Sequence, residues 1–200
     1  MKSVKVLVVA AAILASSFSV SAQSAGGLIR VGYSPYTLKD DSSINTSGMM
    51  AGFSMSSYVS SSVPVYADYG VDIHYAWKDY SVSDEKLKLN FVTAVIPVNI
   101  GYQLDIKDSP LSFRPYAGLA AGLNILANAK YDGESASFFD TYGEGDDHWK
   151  RFQLGVQVGI KVVIKDMLTI GYEYRPFITE AVDGVKTSYN TFFIGVPLRF

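Results

Sequence analysis

The chain has 200 residues, 17 basic and 19 acidic side chains, a formal net charge of -2, no cysteine, 48% hydrophobic residues and 14% aromatic residues. The balanced charge leaves no electrostatic footprint for nucleic acid, so that partner is not expected. The missing cysteine excludes a disulfide framework, a thiolate metal site and a lipoprotein attachment residue.

At the N-terminus Lys2 and Lys5 precede the apolar run Val6 to Ala15, and the small residues Val20-Ser21-Ala22 follow before Gln23. A positive start, a short apolar stretch and small side chains before a cut site are what the export machinery reads. The expectation is a signal peptide over 1–22, cleaved after Ala22, with one domain over 23–200. The run is too short for a spanning helix, which needs about 20 apolar residues.

Strands are expected near Leu28 to Thr37 and Gly48 to Tyr58, and most clearly from Val65 to Lys78. There Val65, Ala67, Tyr69, Val71, Ile73, Tyr75 and Trp77 alternate with Tyr66, Asp68, Gly70, Asp72, His74, Ala76 and Lys78. A period of two puts the sets on opposite sheet faces. From Leu87 to Tyr102 one face holds Val92, Ala94, Ile96, Val98, Ile100 and Tyr102, but Leu87, Leu89 and Phe91 fall in the other register, so a bulge or a shifted assignment is expected there. Alternation returns at Phe113 to Ala127, Arg151 to Lys165, Leu168 to Arg175 and Thr191 to Phe200. Short connections fall near Ser60 to Pro64, Asp105 to Pro110 and Lys165 to Met167, and longer polar ones near Leu38 to Thr46, Asp79 to Glu85, Ala129 to Trp149 and Ile178 to Thr187.

The polar faces carry Arg30, Asp68, Asp72, His74, Arg114, Arg151, Lys161, Glu173 and Arg175 among many Gly and Ala. Charges beside small residues suit a narrow lumen, and apolar faces suit lipid, in which a closed sheet alone pairs all of its backbone groups. The fold class expected is therefore all-β: a closed, up-and-down, antiparallel transmembrane β-barrel of eight strands, with both termini and the short turns on the periplasmic side. Tyr36, Trp77, Trp149, Phe152, Tyr174 and Phe177 would then lie near the outer interface, and Tyr102, Phe113 and Phe200 near the inner one. An eight-stranded barrel is just wide enough to be filled by side chains, so a salt-bridged plug is expected rather than a pore.

These residues resemble small outer-membrane β-barrel proteins of the OmpX and OmpA-barrel type, the porin-family β-barrel domain, over essentially all of 23–200. The resemblance is carried by Ile96-Pro-Val-Asn-Ile-Gly-Tyr102, Arg114-Pro-Tyr-Ala-Gly-Leu-Ala-Ala-Gly122, Gly171-Tyr-Glu-Tyr-Arg-Pro176 and above all the last strand. It implies that the apolar row Phe192, Ile194, Val196, Leu198 and Phe200 is the signal read by the barrel assembly machinery. It also implies residence in outer-membrane lipid of a Gram-negative cell.

On function the expectation is a non-enzymatic structural or surface-interaction protein acting through its outer loops. The candidate contact loop holds Tyr131, Asp132, Phe138, Phe139, Asp140, Tyr142, Asp146 and Asp147, where aromatic and acidic side chains mix. Its acidic spacing matches no known calcium loop, and neither metal nor cofactor is expected. The alternative is a narrow channel for ions or small solutes. A lipid A-modifying enzyme stands third, because some resembling barrels use His and Ser, and His74 shares a face with Asp72 as a possible pair. No Gly-x-Ser-x-Gly elbow occurs in the sequence.

Overall fold

The computed structural model describes residues 26–40, 43–60, 62–82, 85–131, 134–139 and 148–199. In chain order the strands are β1 (Gly26–Tyr33), β2 (Tyr36–Lys39), β3 (Ser43–Asn45), β4 (Ser47–Tyr58), β5 (Val65–Val82), β6 (Glu85–Tyr102), β7 (Leu104–Asp105), β8 (Leu111–Tyr131), β9 (Glu134–Ser137), β10 (Phe152–Ile164), β11 (Leu168–Pro176) and β12 (Lys186–Arg199). β1, β4, β5, β6, β8, β10, β11 and β12 form a ring of antiparallel neighbours, closed where β12 pairs with β1 from Gly26↔Arg199 to Tyr33↔Phe192. Ring closure leaves no open edge, the arrangement lipid demands of a sheet.

The other strands extend this wall. β2 and β3 continue β1 and β4 in unbroken register as a hairpin. The break between β1 and β2 falls at Ser34 and Pro35, where Pro35 has no N–H to give the ladder but its carbonyl still accepts from Asn190 N at 3.2 Å. β5 and β6 stay paired as far as Val82↔Glu85, and β9 folds back on β8. The expected connection near 79–85 is thus mostly strand, and after Ala129 strand runs on to Tyr131 and returns as β9. Hydrophobic, β-branched and aromatic side chains continue the period of two past the barrel rim, and pairing follows them.

The packing is inside out. Outward Ile29, Val31, Val71, Ile73, Val158, Ile194 and Val196 are exposed, whereas inward Arg30, Asp68, Asp72, His74, Gln153, Gln157, Glu173 and Arg175 are almost wholly buried. The register problem near Leu87 resolves differently from the expectation. β6 alternates without interruption, with Phe91, Thr93, Val95 and Asn99 buried, and the irregularity lies on β8: Thr93 pairs with Asn124 but Val92 with Leu126, leaving Ile125 as the extra residue. Leu89 and Phe91 face inward because the lumen is apolar at that level, and a β-bulge is free to sit on either partner.

The interface residues also divide. Phe152 and Tyr174 are exposed as expected, but Tyr36, Trp149 and Phe177 are buried inside the far end of the barrel, opposite the end that carries Gly26 and Arg199. At the near end, Lys165 and Asp166 both adopt left-handed backbone (φ 50° and 51°), and Met167 N donates to Ile164 O at 2.9 Å. This is the mirror-type tight turn whose twist matches a hairpin.

Candidate functional site

Parity decides which side chains reach the lumen, and two glycines decide which of them meet. Arg30 on β1 and Asp72 on β5 both pair with Gly52 on the strand between them. A Cβ on Gly52 would lie 2.1 Å from Asp72 Oδ1, so only glycine lets the two side chains join across β4. Tyr116 and Glu173 likewise flank Gly159, where a Cβ would meet the Tyr116 ring at 2.5 Å.

At the waist two arginines and two carboxylates neutralise each other. Arg30 donates from Nη2 to both Asp72 oxygens at 2.8 Å and from Nη1 to Glu173 Oε2 at 3.0 Å. Arg175 Nη2 donates to Asp72 Oδ2 and to Glu173 Oε1, each at 2.8 Å. Glu173 Oε2 also accepts from Tyr116 OH at 2.9 Å and Gln157 Nε2 at 3.0 Å. Nearer the chain ends, Lys161 Nζ meets Asp68 Oδ2 at 2.7 Å, and Ser56 donates to the other Asp68 oxygen at 2.8 Å. A buried charge persists only when such bonds replace its hydration.

The nine sequence-predicted lumen residues therefore divide. Arg30, Asp72, Glu173 and Arg175 form the waist, His74 adjoins it through Arg175, and Asp68 and Lys161 form the pair below. Arg114 is half-buried, its guanidinium 5.9 Å from the Tyr66 ring, and it borders a cavity of about 250 Å³ at the near end. Arg151 lies outside the lumen: it is exposed and stacks over Phe139 at 4.0 Å. It shares parity with Gln153 but precedes the first residue of β10, where the barrel is already closed by aromatic rings.

His74 does not pair with Asp72. Arg175 Nη1 donates to His74 Nε2 at 2.8 Å, Ser34 Oγ lies 2.8 Å from His74 Nδ1, and Thr191 Oγ1 lies 2.8 Å from Ser34 Oγ. A guanidinium has donors only, so Nε2 must accept, and the ring proton is on Nδ1, donated to Ser34. The imidazole thus faces Ser34 with a proton rather than a lone pair, the reverse of what a nucleophilic serine requires. Ser34, Thr191, Gln157, Tyr116 and Gly52 were not singled out from the sequence. Thr191, Gln157, Tyr116 and Gly52 occupy the inward parity of their strands and Ser34 continues that of β1 one residue past its end, which is the available signal.

Above the waist a neutral chain runs from Tyr189 OH to Thr93 (2.9 Å), Thr93 to Asn124 (2.9 Å), Asn124 to Gln153 (3.2 Å) and Gln153 to Thr187 (2.9 Å). Over it lies an aromatic cap. Tyr36 stacks on Tyr189 with ring centroids 4.7 Å apart, and Phe91 packs against Trp149 at 5.6 Å and Phe138 at 6.1 Å. Phe177 enters from the segment after β11, whose Ile178 N donates to Leu154 O at 2.7 Å.

In the candidate contact loop, Tyr131 is exposed, but Phe138 and Phe139 are half-buried against this cap rather than displayed. Aromatic rings at the rim find apolar partners below them sooner than water. Asp132, Asp140, Tyr142, Asp146 and Asp147 lie outside the described residues, as do Phe200 and 1–25. Of the terminal apolar row, Phe192, Ile194 and Val196 are exposed on the wall and Leu198 is half-buried. Among the described residues no group of His, Asp or Glu is placed to hold a metal ion.

A closed sheet with an apolar outer wall and a neutralised polar lumen defines an integral outer-membrane β-barrel, and the protein resides in the outer membrane. The sequence matches the family model described as outer membrane protein beta-barrel domain over residues 8–200, and the chain belongs to that family. No curated protein matches the sequence. Among solved structures it is similar to Ail, the attachment invasion locus protein of Yersinia pestis, in complex with the heparin analogue sucrose octasulfate: identity is 14%, 88% of this chain and 100% of Ail are covered, and the TM-score is 0.50. It is also similar to neisserial surface protein A, with 17% identity, 87% and 97% coverage and a TM-score of 0.53.

Proposed function

We propose that this protein is a non-conducting, non-enzymatic barrel whose activity resides in its outer loops, with the far end facing the cell exterior and residues 1–22 acting as a cleaved signal peptide. The observation that carries this reading is the filled lumen. From Lys161–Asp68 through the Arg30, Asp72, Glu173 and Arg175 waist to the Phe91–Trp149 cap, charges are paired and the outer mouth is plugged by rings. A channel needs water-filled space between opposed charges, and a hydrolase needs a base facing its nucleophile; the Ser34–His74 arrangement offers the reverse polarity. The fold also suits a surface role, since fold relatives include a protein named for attachment and invasion, although fold alone does not transfer function.

The row Phe192, Ile194, Val196, Leu198 and Phe200 is proposed to be read by the barrel assembly machinery. The contact segment narrows to Tyr131 and residues 140–147, because Phe138 and Trp149 anchor its two ends in the cap. Deleting 140–147 while keeping both anchors is expected to leave the heat-dependent gel shift of the folded barrel intact and to abolish adhesion of expressing cells to epithelial monolayers. Adhesion unchanged by the deletion would remove this segment from the account.

A further inference from the structure

On the outer wall, hydrogen-bonded rows place Tyr75, Met49, Tyr33, Phe192 and Tyr172 side by side across β5, β4, β1, β12 and β11. The next outward row toward the chain ends reads Ile73, Ala51, Val31, Ile194 and Ile170. Ala51 is the small member of that row, and an apolar groove runs along it between Ile73, Val31 and Ile170.

Above the aromatic row, and sharing Tyr33 and Phe192 with the groove, lies a second, mainly apolar recess whose upper side carries the polar groups of Thr37, Asn45 and Asn190. Thr37 donates to Asn45 at 2.9 Å, and Tyr172 OH donates to Asn190 at 2.9 Å. Directly above, Lys39 and Lys186 are exposed and stand opposite each other on β2 and β12, and among the described residues neither makes an ion pair. Like charges directly opposed across strands are destabilising unless an anion lies between them.

Lys39 lies six residues beyond Tyr33, about 20 Å along an extended strand and roughly 15 Å in height at the usual tilt, so a lysine stem reaching back toward the membrane brings its ammonium to headgroup depth. We propose that this track, an apolar groove topped by amide and hydroxyl groups and then by two facing lysines, binds one phosphorylated, multiply acylated lipid of the outer leaflet. Acyl chains lie along the Ala51 row, sugar or glycerol hydroxyls meet Asn45 and Asn190, and phosphate sits between Lys39 and Lys186. The inference rests on the far end facing the outer leaflet, which protease access to the far-end loops in intact cells tests separately.

The full chain is refolded into phosphatidylcholine vesicles that contain no additive, bis-phosphorylated lipid A, or the same lipid A stripped of its phosphates, and into plain vesicles with inorganic phosphate in the buffer. The midpoint of the heat-driven gel shift is then read. Phosphorylated lipid A is expected to raise it by roughly 3 °C or more. That shift disappears with the dephosphorylated lipid and in K39Q/K186Q, shrinks in A51L, and survives in K88Q/K130Q, which removes an equal charge from the opposite wall, where Lys88 faces Lys130. Equal protection without phosphates, protection by inorganic phosphate alone, an unchanged shift in K39Q/K186Q or in A51L, or equal loss in K88Q/K130Q would overturn the proposal. The gel shift itself reports whether each variant has folded.

Discussion

At the scale of single residues, Glu173 is the node of the lumen: its carboxylate accepts from two arginines, a tyrosine and a glutamine while fully buried. Replacing it by glutamine leaves Arg30 and Arg175 sharing the one carboxylate of Asp72, and stripping a buried cation of its partner costs about 3–5 kcal/mol. Denaturant unfolding of Glu173→Gln in vesicles should show a loss of that order. Lys150→Ala, which removes an exposed contact to Asp183 at 3.5 Å, should change stability by roughly 0–1 kcal/mol. Equal losses from the two variants would show that the waist carries no special weight. Membership of the lumen was legible from parity, which placed Arg30, Asp68, Asp72, His74, Lys161, Glu173 and Arg175 on the inward side. The partners were not legible, because Arg30 meets Asp72 across a third strand through the space above Gly52, and that distance depends on barrel curvature rather than on spacing in the chain. Arg151 shows the limit of parity, which fixes a direction but not the height at which the lumen ends.

At the scale of elements, the turn after β10 holds Lys165 in left-handed backbone, a conformation that costs a side-chain-bearing residue about 1–2 kcal/mol. Lys165→Gly is therefore expected to stabilise the barrel by up to about 1 kcal/mol, after the added unfolded-state entropy of glycine is offset. A measured destabilisation would mean that the Lys165 side chain makes a compensating contact. The far-end loops obey a different rule. Trp149, Phe138 and Phe177 pin two of them to the lumen cap, so Trp149→Ala should speed cleavage by added chymotrypsin after Phe138 and Phe139, which pack against that ring cluster, while the gel shift of the barrel persists. Protease resistance equal to wild type would show that the cap does not hold the loop. Strand positions were readable because lipid and lumen impose opposite chemistry on successive residues. Within β6 the sequence offers either a bulge or a shifted assignment, and the bulge lies instead at Ile125 on β8, since an inward Leu89 and Phe91 look like a register slip until the lumen is known to turn apolar toward its far end.

At the scale of the whole molecule, lipid outside and paired charge inside follow from one requirement, that backbone groups and fully buried charges removed from water find partners within the wall. The architecture was legible because that requirement acts on all eight ring strands at once, and the family match over residues 8–200 agrees with it. The loop tips answer to no such requirement, so neither periodicity nor fold names what they touch. Closure of the lumen from waist to cap is checked by single-channel recording of the wild-type protein in planar bilayers, with insertion verified by the heat-shifted band from the same proteoliposomes. A flat baseline is expected in 1 M salt. Large, reproducible conductance steps from the inserted wild-type barrel would contradict it.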